Sequence, residues 1–139
     1  MPASAPFQDK IKKLKAEYDR LKIDKASLLK IIDEAEIPES VYNSNAIENS
    51  TLTLKETEKI LLEMEVSKNV SLREVFEAKN LARVMEYIRI KSSEELSIET
   101  VLLLHRILMG NIDETLAGRF RKEGEYVRIG TFIAQLRSI

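Results

Sequence analysis

The sequence predicts a mainly α-helical protein, a helical bundle with one β-hairpin near its C-terminus. Apolar residues recur three or four positions apart through most of the chain, which is typical of amphipathic helices. A Ser or Thr followed three positions later by Glu stands before two of the central apolar runs, a pattern that begins helices. After Gly110 the spacing shortens to alternation around Gly124, which indicates a hairpin within residues 118–130.

The first 36 residues are predicted to form a separate helical segment. Its first helix carries an apolar stripe at helical spacing: Phe7, Ile11, Leu14, Tyr18 and Leu21. A second helix follows Asp24, which we expect to be its N-cap. Pro38 is expected to end that helix and to lie in the first turn of the next one, because proline lacks the amide that a helix interior needs. We therefore place a domain boundary between residues 36 and 37.

Residues 37–139 are predicted to form the second domain. A short helix leads to residue 48, and two capping boxes then begin the next two helices, Thr53 with Glu56 and Ser71 with Glu74. Ser97 is the predicted cap of a further helix that ends near Gly110. The order of these signals predicts helices up to Gly110 and the hairpin after it.

Composition and charge exclude several classes of protein. The 139 residues contain 22 Lys and Arg against 23 Asp and Glu, a net charge of -1, so we expect neither nucleic acid nor a membrane surface as a partner. Cysteine is absent, which excludes a disulfide framework and thiolate metal sites. The first residues lack the apolar stretch of a secretory signal. Together these features predict a cytoplasmic protein.

The stretch SNAIENSTLTLKE, residues 44–56, raises the main functional question. Ser44 and Glu48 share one face of a helix, and Asn49 is suited to the left-handed position that ends it. Glu48 would then lie in the last turn, where the helix dipole disfavours a carboxylate. Two interpretations remain open: Glu48 is a solvated surface residue, or it meets a cation from another part of the protein or from a partner.

Three motifs, in order between Pro38 and Thr131, resemble the Fic family. SNAIEN resembles the family's inhibitory motif [S/T]-x-x-x-E-[G/N], and VLLLHRILMGNI resembles the core helix with its L-H-x-x-L pattern. GRFRKEGEYVRIG resembles G-x-[FY]-R followed by V-x-I-G, the flap region. The resemblance implies a mainly helical Fic fold and, as activity, the transfer of AMP from ATP, with Mg, to a protein hydroxyl.

The same resemblance assigns roles to particular residues. Glu48 would pair with an arginine of the catalytic loop and oppose placement of the ATP γ-phosphate, while Ser44 and Asn49 fix its helix. The flap would dock an extended target segment through Tyr126, Val127, Arg128 and Ile129. The alternative is that this hairpin only closes the bundle. Arg119 and Arg121 could hold phosphate or an acidic neighbour, or could simply be surface charge.

The family's catalytic motif, H-x-F-x-[D/E]-G-N-G-R-x-x-R, does not occur in these residues, so no catalytic residue and no metal ligand is predicted. The single histidine, His105, is expected to be structural. We therefore expect the N-terminal part of an autoinhibited Fic-type adenylyltransferase, truncated before its catalytic motif and inactive alone. The alternative is a separate, antitoxin-like module that acts on a catalytic Fic partner through Glu48, and a third possibility is a helical interaction protein. Exposed apolar faces could also support a homo-oligomer.

Overall fold

The computed structural model describes the backbone of residues 5–129 and 132–134 and the side chains of residues 6–126. Helices dominate this part of the chain, as the sequence predicts. The chain divides into two compact units, Met1–Ile37 and Pro38–Ile139. The elements in order are α1 (Ala5–Leu21), α2 (Ala26–Ile47), α3 (Leu54–Glu58), a π-helical turn (Lys59–Glu63), α4 (Leu72–Lys91), α5 (Ile98–Met109), β1 (Val127–Ile129) and β2 (Phe132–Ala134).

The first unit contains α1 and the beginning of α2. On α1, Asp19 pairs with Lys15 at 2.7 Å and with Lys22 at 2.6 Å. The prediction that Asp24 caps α2 is wrong, because Asp24 has a left-handed backbone (φ 60°) within the connecting turn and α2 begins two residues later. None of the described side chains of this unit is buried.

Pro38 lies inside α2, so the prediction that it ends one helix and begins another is wrong. A proline in a helix interior removes one backbone hydrogen bond and crowds the carbonyl four residues earlier. Burial offsets this cost, because Pro38 and Val41 are the two buried residues of α2. Tertiary packing has here overridden the local preference.

The second unit has an apolar core to which α2, α4 and the segment between them contribute. Both predicted capping boxes are confirmed: Thr53 with Glu56 begins α3, and Ser71 with Glu74 begins α4. Ser97 caps α5 by accepting a hydrogen bond from the amide of Thr100. These caps set where each helix starts. The buried apolar residues are Val41, Leu52, Ile60, Val75, Ala78 and Val84.

A buried amide joins α4 to the end of α5. Asn80 is 1% exposed, and its Nδ2 donates to the carbonyl oxygens of Leu108 at 3.0 Å and Gly110 at 2.7 Å. The last carbonyls of a helix lack partners within the helix, so this side chain satisfies groups that burial would otherwise leave unpaired. The helix ends at Gly110 as predicted, but the left-handed residue is Asn111, at φ 59°.

The hairpin predicted around Gly124 is wrong in position, because residues 118–126 contain no strand. Glu125 instead closes this stretch into a loop: its carboxylate accepts from both terminal nitrogens of Arg119 at 2.7 Å and from the amide of Lys122 at 2.7 Å. The amide of Lys122 is thus bound by a local side chain instead of a neighbouring strand. The observed antiparallel pairing lies further on, with Val127 opposite Ala134 and Ile129 opposite Phe132.

Candidate functional site

The end of α2 is closed by a complete set of backbone hydrogen bonds around Glu48. The amide of Ser50 donates to the carbonyl of Asn45 at 3.0 Å, and the amide of Asn49 donates to that of Ala46 at 3.2 Å. Asn49 has φ 64°, the left-handed conformation that the sequence predicts for it. These two hydrogen bonds together form the Schellman motif, which places Glu48 at the C-cap. Its side chain is exposed to solvent.

A cavity of about 450 Å³ lies beside this helix end, within the second unit. Ser44 and Glu48 both line it, together with Arg73 and Glu77 of α4. Apolar residues near the end of α5 complete the lining, among them Leu108 and Met109. The cavity is therefore apolar along α5 and charged where α2 and α4 border it.

Glu48 carries the carboxylate of this cavity that has no partner in the described part of the chain. Arg73 lines the same cavity, but its Nε donates to Glu77 at 2.8 Å, one helical turn further along α4. Arg73 is thus paired with Glu77 and does not neutralise Glu48. The arrangement leaves a negative group at the negative end of a helix dipole, a position that favours an incoming cation.

Glu74 fixes the segment that follows Glu48. Its Oε1 accepts from the amide of Thr51 at 2.8 Å and from the Thr51 hydroxyl at 2.6 Å, while Oε2 accepts from the hydroxyl of Ser71 at 2.9 Å. These hydrogen bonds lower the pKa of Glu74 to about 2, and the bonds from Thr51 have a larger effect than the bond from Ser71. A single ionised carboxylate therefore joins the exit of α2 to the start of α4.

Sequence reasoning missed two of the residues that shape this site. The capping pattern identifies Glu74, but it gives no sign that Glu74 also holds Thr51, because that contact joins residues 23 positions apart. Arg73 is likewise inconspicuous in the sequence, since an arginine beside a capping Glu is common on a helix surface. Its i,i+4 spacing to Glu77 was the one signal available.

His105 is structural, as predicted. Its Nδ1 accepts a hydrogen bond of 3.1 Å from the amide of Gly118, which ties α5 to the loop that follows it. Gly118 has φ 71°, and a Cβ there would lie 2.7 Å from the Nε of Arg106, so only glycine fits without strain. The pairing requires the His105 tautomer that carries its proton on Nε2.

A second cavity, of about 700 Å³, is lined by Arg73 of α4, by His105 of α5 and by residues after α5, among them Arg119, Arg121 and Tyr126. Arg119 holds an acidic neighbour rather than being isolated surface charge, because it binds Glu125 bidentately. The Arg119 guanidinium lowers the pKa of Glu125 to about 2, with help from the Lys122 amide. Tyr126 is exposed, whereas the side chains of the other predicted flap residues, Val127, Arg128 and Ile129, lie outside the described residues.

Across residues 6–126 no group of three or more His, Asp or Glu side chains is arranged to hold a metal ion. The glycines at 110, 118 and 124 stand too far apart to build a loop that cradles phosphates. No described helix is long and apolar enough to cross a membrane.

Comparison with known proteins identifies relatives for nearly two thirds of the chain. The sequence is 35% identical over 91 residues to protein adenylyltransferase fic-1 of Caenorhabditis elegans, which is 63% of this chain and 18% of that protein. It is 31% identical over 90 residues to protein adenylyltransferase Fic of Nematostella vectensis, which is 63% of this chain and 21% of that protein. It is 34% identical over 89 residues to protein adenylyltransferase Fic of Drosophila erecta, which is 63% of this chain and 18% of that protein.

The match has clear bounds. No protein-family model matches the sequence. The matched segment spans about a fifth of the length of these relatives. Within that segment the identities are 31–35%. The chain is therefore a relative of the Fic-family protein adenylyltransferases.

Proposed function

We propose that this chain is the regulatory part of an autoinhibited Fic-type protein adenylyltransferase, in which Glu48 is the inhibitory residue. The observation that carries the proposal is the exposed carboxylate of Glu48, without a partner in the described part of the chain, at the closed end of α2. The family resemblance supplies its counterpart, an arginine of the catalytic loop that would otherwise bind the ATP γ-phosphate. One guanidinium cannot hold both anions, so Glu48 acts as a switch.

The local electrostatics support this role. A carboxylate at a helix C-terminus is disfavoured by the backbone carbonyls and so gains more than most from a guanidinium, which binds carboxylates bidentately. Arg73 does not remove this advantage because it is paired with Glu77. Glu74 and the Schellman motif hold the helix end in place, so little conformational entropy is lost when the arginine binds.

In this proposal the catalytic residues belong to a Fic catalytic core outside these 139 residues. That core supplies the histidine base, the phosphate-binding loop, ATP and Mg, and these 139 residues alone do not transfer AMP. The strand β1 and Tyr126 would then serve as the flap, where an extended segment of the target protein adds to the strand edge.

The decisive experiment joins the chain to a catalytic Fic core whose own inhibitory glutamate has been replaced by glycine, and measures transfer of labelled AMP to protein. We expect strong suppression by the wild-type chain and restored transfer with Glu48→Gln. The matched control is Glu86→Gln, which removes an exposed carboxylate from α4 and should still suppress. Equal transfer with the wild-type and Glu48→Gln chains would refute the role of Glu48.

A second candidate, favoured by the exposure of Glu48, is a separate module that inhibits a Fic enzyme in trans. Adding the 139-residue chain to the same core as a separate polypeptide tests it. Suppression that disappears with Glu48→Gln supports the separate module, whereas suppression only in the joined form supports the first proposal. AMP transfer by the chain alone would overturn both.

A further inference from the structure

The apolar stripe of α1 has no cover in the described part of its unit. Phe7, Ile11, Leu14, Tyr18 and Leu21 are each between 48% and 57% exposed. Apolar residues at the start of α2 are exposed as well, Leu28 at 53% and Ile31 at 63%, so they do not bury the stripe. A row of five large apolar side chains in water is unfavourable and marks an interaction surface.

We propose that α1 pairs with α1 of a second copy of this chain as an antiparallel two-stranded coiled coil. The stripe advances by four, three, four and three residues, which is the heptad spacing of a coiled-coil seam and narrower than the stripe of a helix packed on a globular core. In the antiparallel register centred between Lys12 and Lys13, Ile11 packs on the partner's Leu14. Phe7 then packs on the partner's Tyr18.

The charges beside the seam select this register and this direction. Lys10 and Glu17 flank the stripe on one side, and in the proposed register each Lys10 meets the partner's Glu17, which gives two opposite-charge pairs. Shifting the antiparallel register by one heptad would set Glu17 against the partner's Glu17. A parallel pair would set Lys10 against the partner's Lys15, a like-charge pair, and Glu17 against the partner's Lys22, an opposite-charge pair. The shifted register brings like charges together, and the parallel pair gives one pair of each kind, so only the proposed register makes both pairs opposite in charge.

Lys10 and Glu17 are also available for these pairs. Within the described residues neither side chain takes part in an ion pair or hydrogen bond. Lys15 and Lys22, on the other side of the stripe, already share Asp19. The lysines that Lys10 and Glu17 would meet in a parallel pair are thus already bound on their own helix, whereas Lys10 and Glu17 themselves are open to the antiparallel pairs.

Sedimentation of the full chain over a wide range of concentrations tests the proposal. The seam is short, so we expect a weak, reversible dimer whose mass rises with concentration from 15.9 kDa towards twice that value. Lys10→Glu or Glu17→Lys alone replaces both opposite-charge pairs by like-charge pairs and should weaken the dimer about tenfold. The double variant with both changes should restore it.

The matched control is Lys13→Glu, which makes the same change of charge on the face of α1 away from the seam and should leave the dimer unchanged. Leu14→Gln should reduce association strongly, and circular dichroism verifies that each variant keeps its helix content. A monomer at every concentration overturns the proposal. So does stronger association of Lys10→Glu, which is the result that a parallel pair would give.

Discussion

Glu48 occupies a position that its own helix disfavours. The carboxylate stands at the C-cap of α2, where the backbone carbonyls carry partial negative charge, and no cation of the described residues binds it. Nearby asparagines also lower the helix propensity of this segment. Residues that lower stability without a local benefit often serve function, and here the proposed benefit is capture of a catalytic arginine.

Glu48→Gln should therefore stabilise the isolated chain slightly, by about 0.3–1 kcal/mol, because it removes a negative charge from the negative end of a helix. Urea unfolding at neutral pH and low salt measures the change. Glu86→Gln, within α4, should shift the free energy of unfolding less. A lower stability for Glu48→Gln would mean that its carboxylate makes a favourable contact and would contradict the electrostatic account.

At the scale of elements, Glu74 connects the start of α4 to the segment that follows α2. It completes the capping box of α4 and also binds Ser50 and Thr51, the residues that leave α2. These bonds favour the ionised carboxylate, so the pKa of Glu74 falls from its ordinary 4.5 to about 2 in the folded chain. Its contribution to stability is complete above the unfolded value and disappears as the pH falls towards the folded value.

Acid should therefore weaken the wild-type chain more than a Glu74→Gln variant. The variant is less stable near neutral pH, and the difference should shrink as the pH falls from about 4.5 towards about 2, because protonation removes the same charge from the wild type. Denaturant midpoints measured along this pH range report the effect. Glu125, whose pKa is also about 2, titrates in both proteins and cancels from the comparison. A constant difference across the range would exclude the proposed role of Glu74.

Local signals in the sequence predicted the elements better than their connections. Both capping boxes, the cap at Ser97 and the left-handed Asn49 depend on neighbouring residues alone, and each is present in the structure. The local preference of Pro38 predicts a helix end wrongly, because burial of this residue inside α2 outweighs that preference. The bonds of Asn80 to Leu108 and Gly110 connect distant residues and follow only from the packing of α4 on α5.

The candidate site likewise combines local signals with contacts between residues that are distant in the sequence. The i,i+4 relation of Ser44 and Glu48 is local, and the structure has both residues on one cavity. The pairing of Arg73 with Glu77 is local too, at i,i+4 on α4, but the position of this pair on the cavity of Glu48 depends on how α4 lies beside the end of α2. The loop closed by Arg119 and Glu125 displaced the predicted hairpin because a bidentate ion pair is stronger than a marginal strand preference.

At the scale of the whole molecule, the two units differ in how they are stabilised. The second unit has buried apolar residues on α2 and α4 and between them, and Asn80 links α4 to α5. The first unit has no buried side chain among its described residues, so α1 depends on its own backbone bonds and surface ion pairs. An isolated helix of about 12–15 residues is only marginally stable in water, and α1 is barely longer.

Amide hydrogen exchange should show this difference directly. In dilute solution, where a weak dimer dissociates, the amides of α1 should exchange close to the rate of an unfolded chain, while those in the middle of α4 should exchange only on global unfolding. Raising the protein concentration should slow exchange in α1 alone, because the seam then buries its apolar stripe. The Lys10→Glu variant should lose most of that added protection. Protection of α1 equal to that of α4 in dilute solution would mean that a partner within the same chain stabilises the helix.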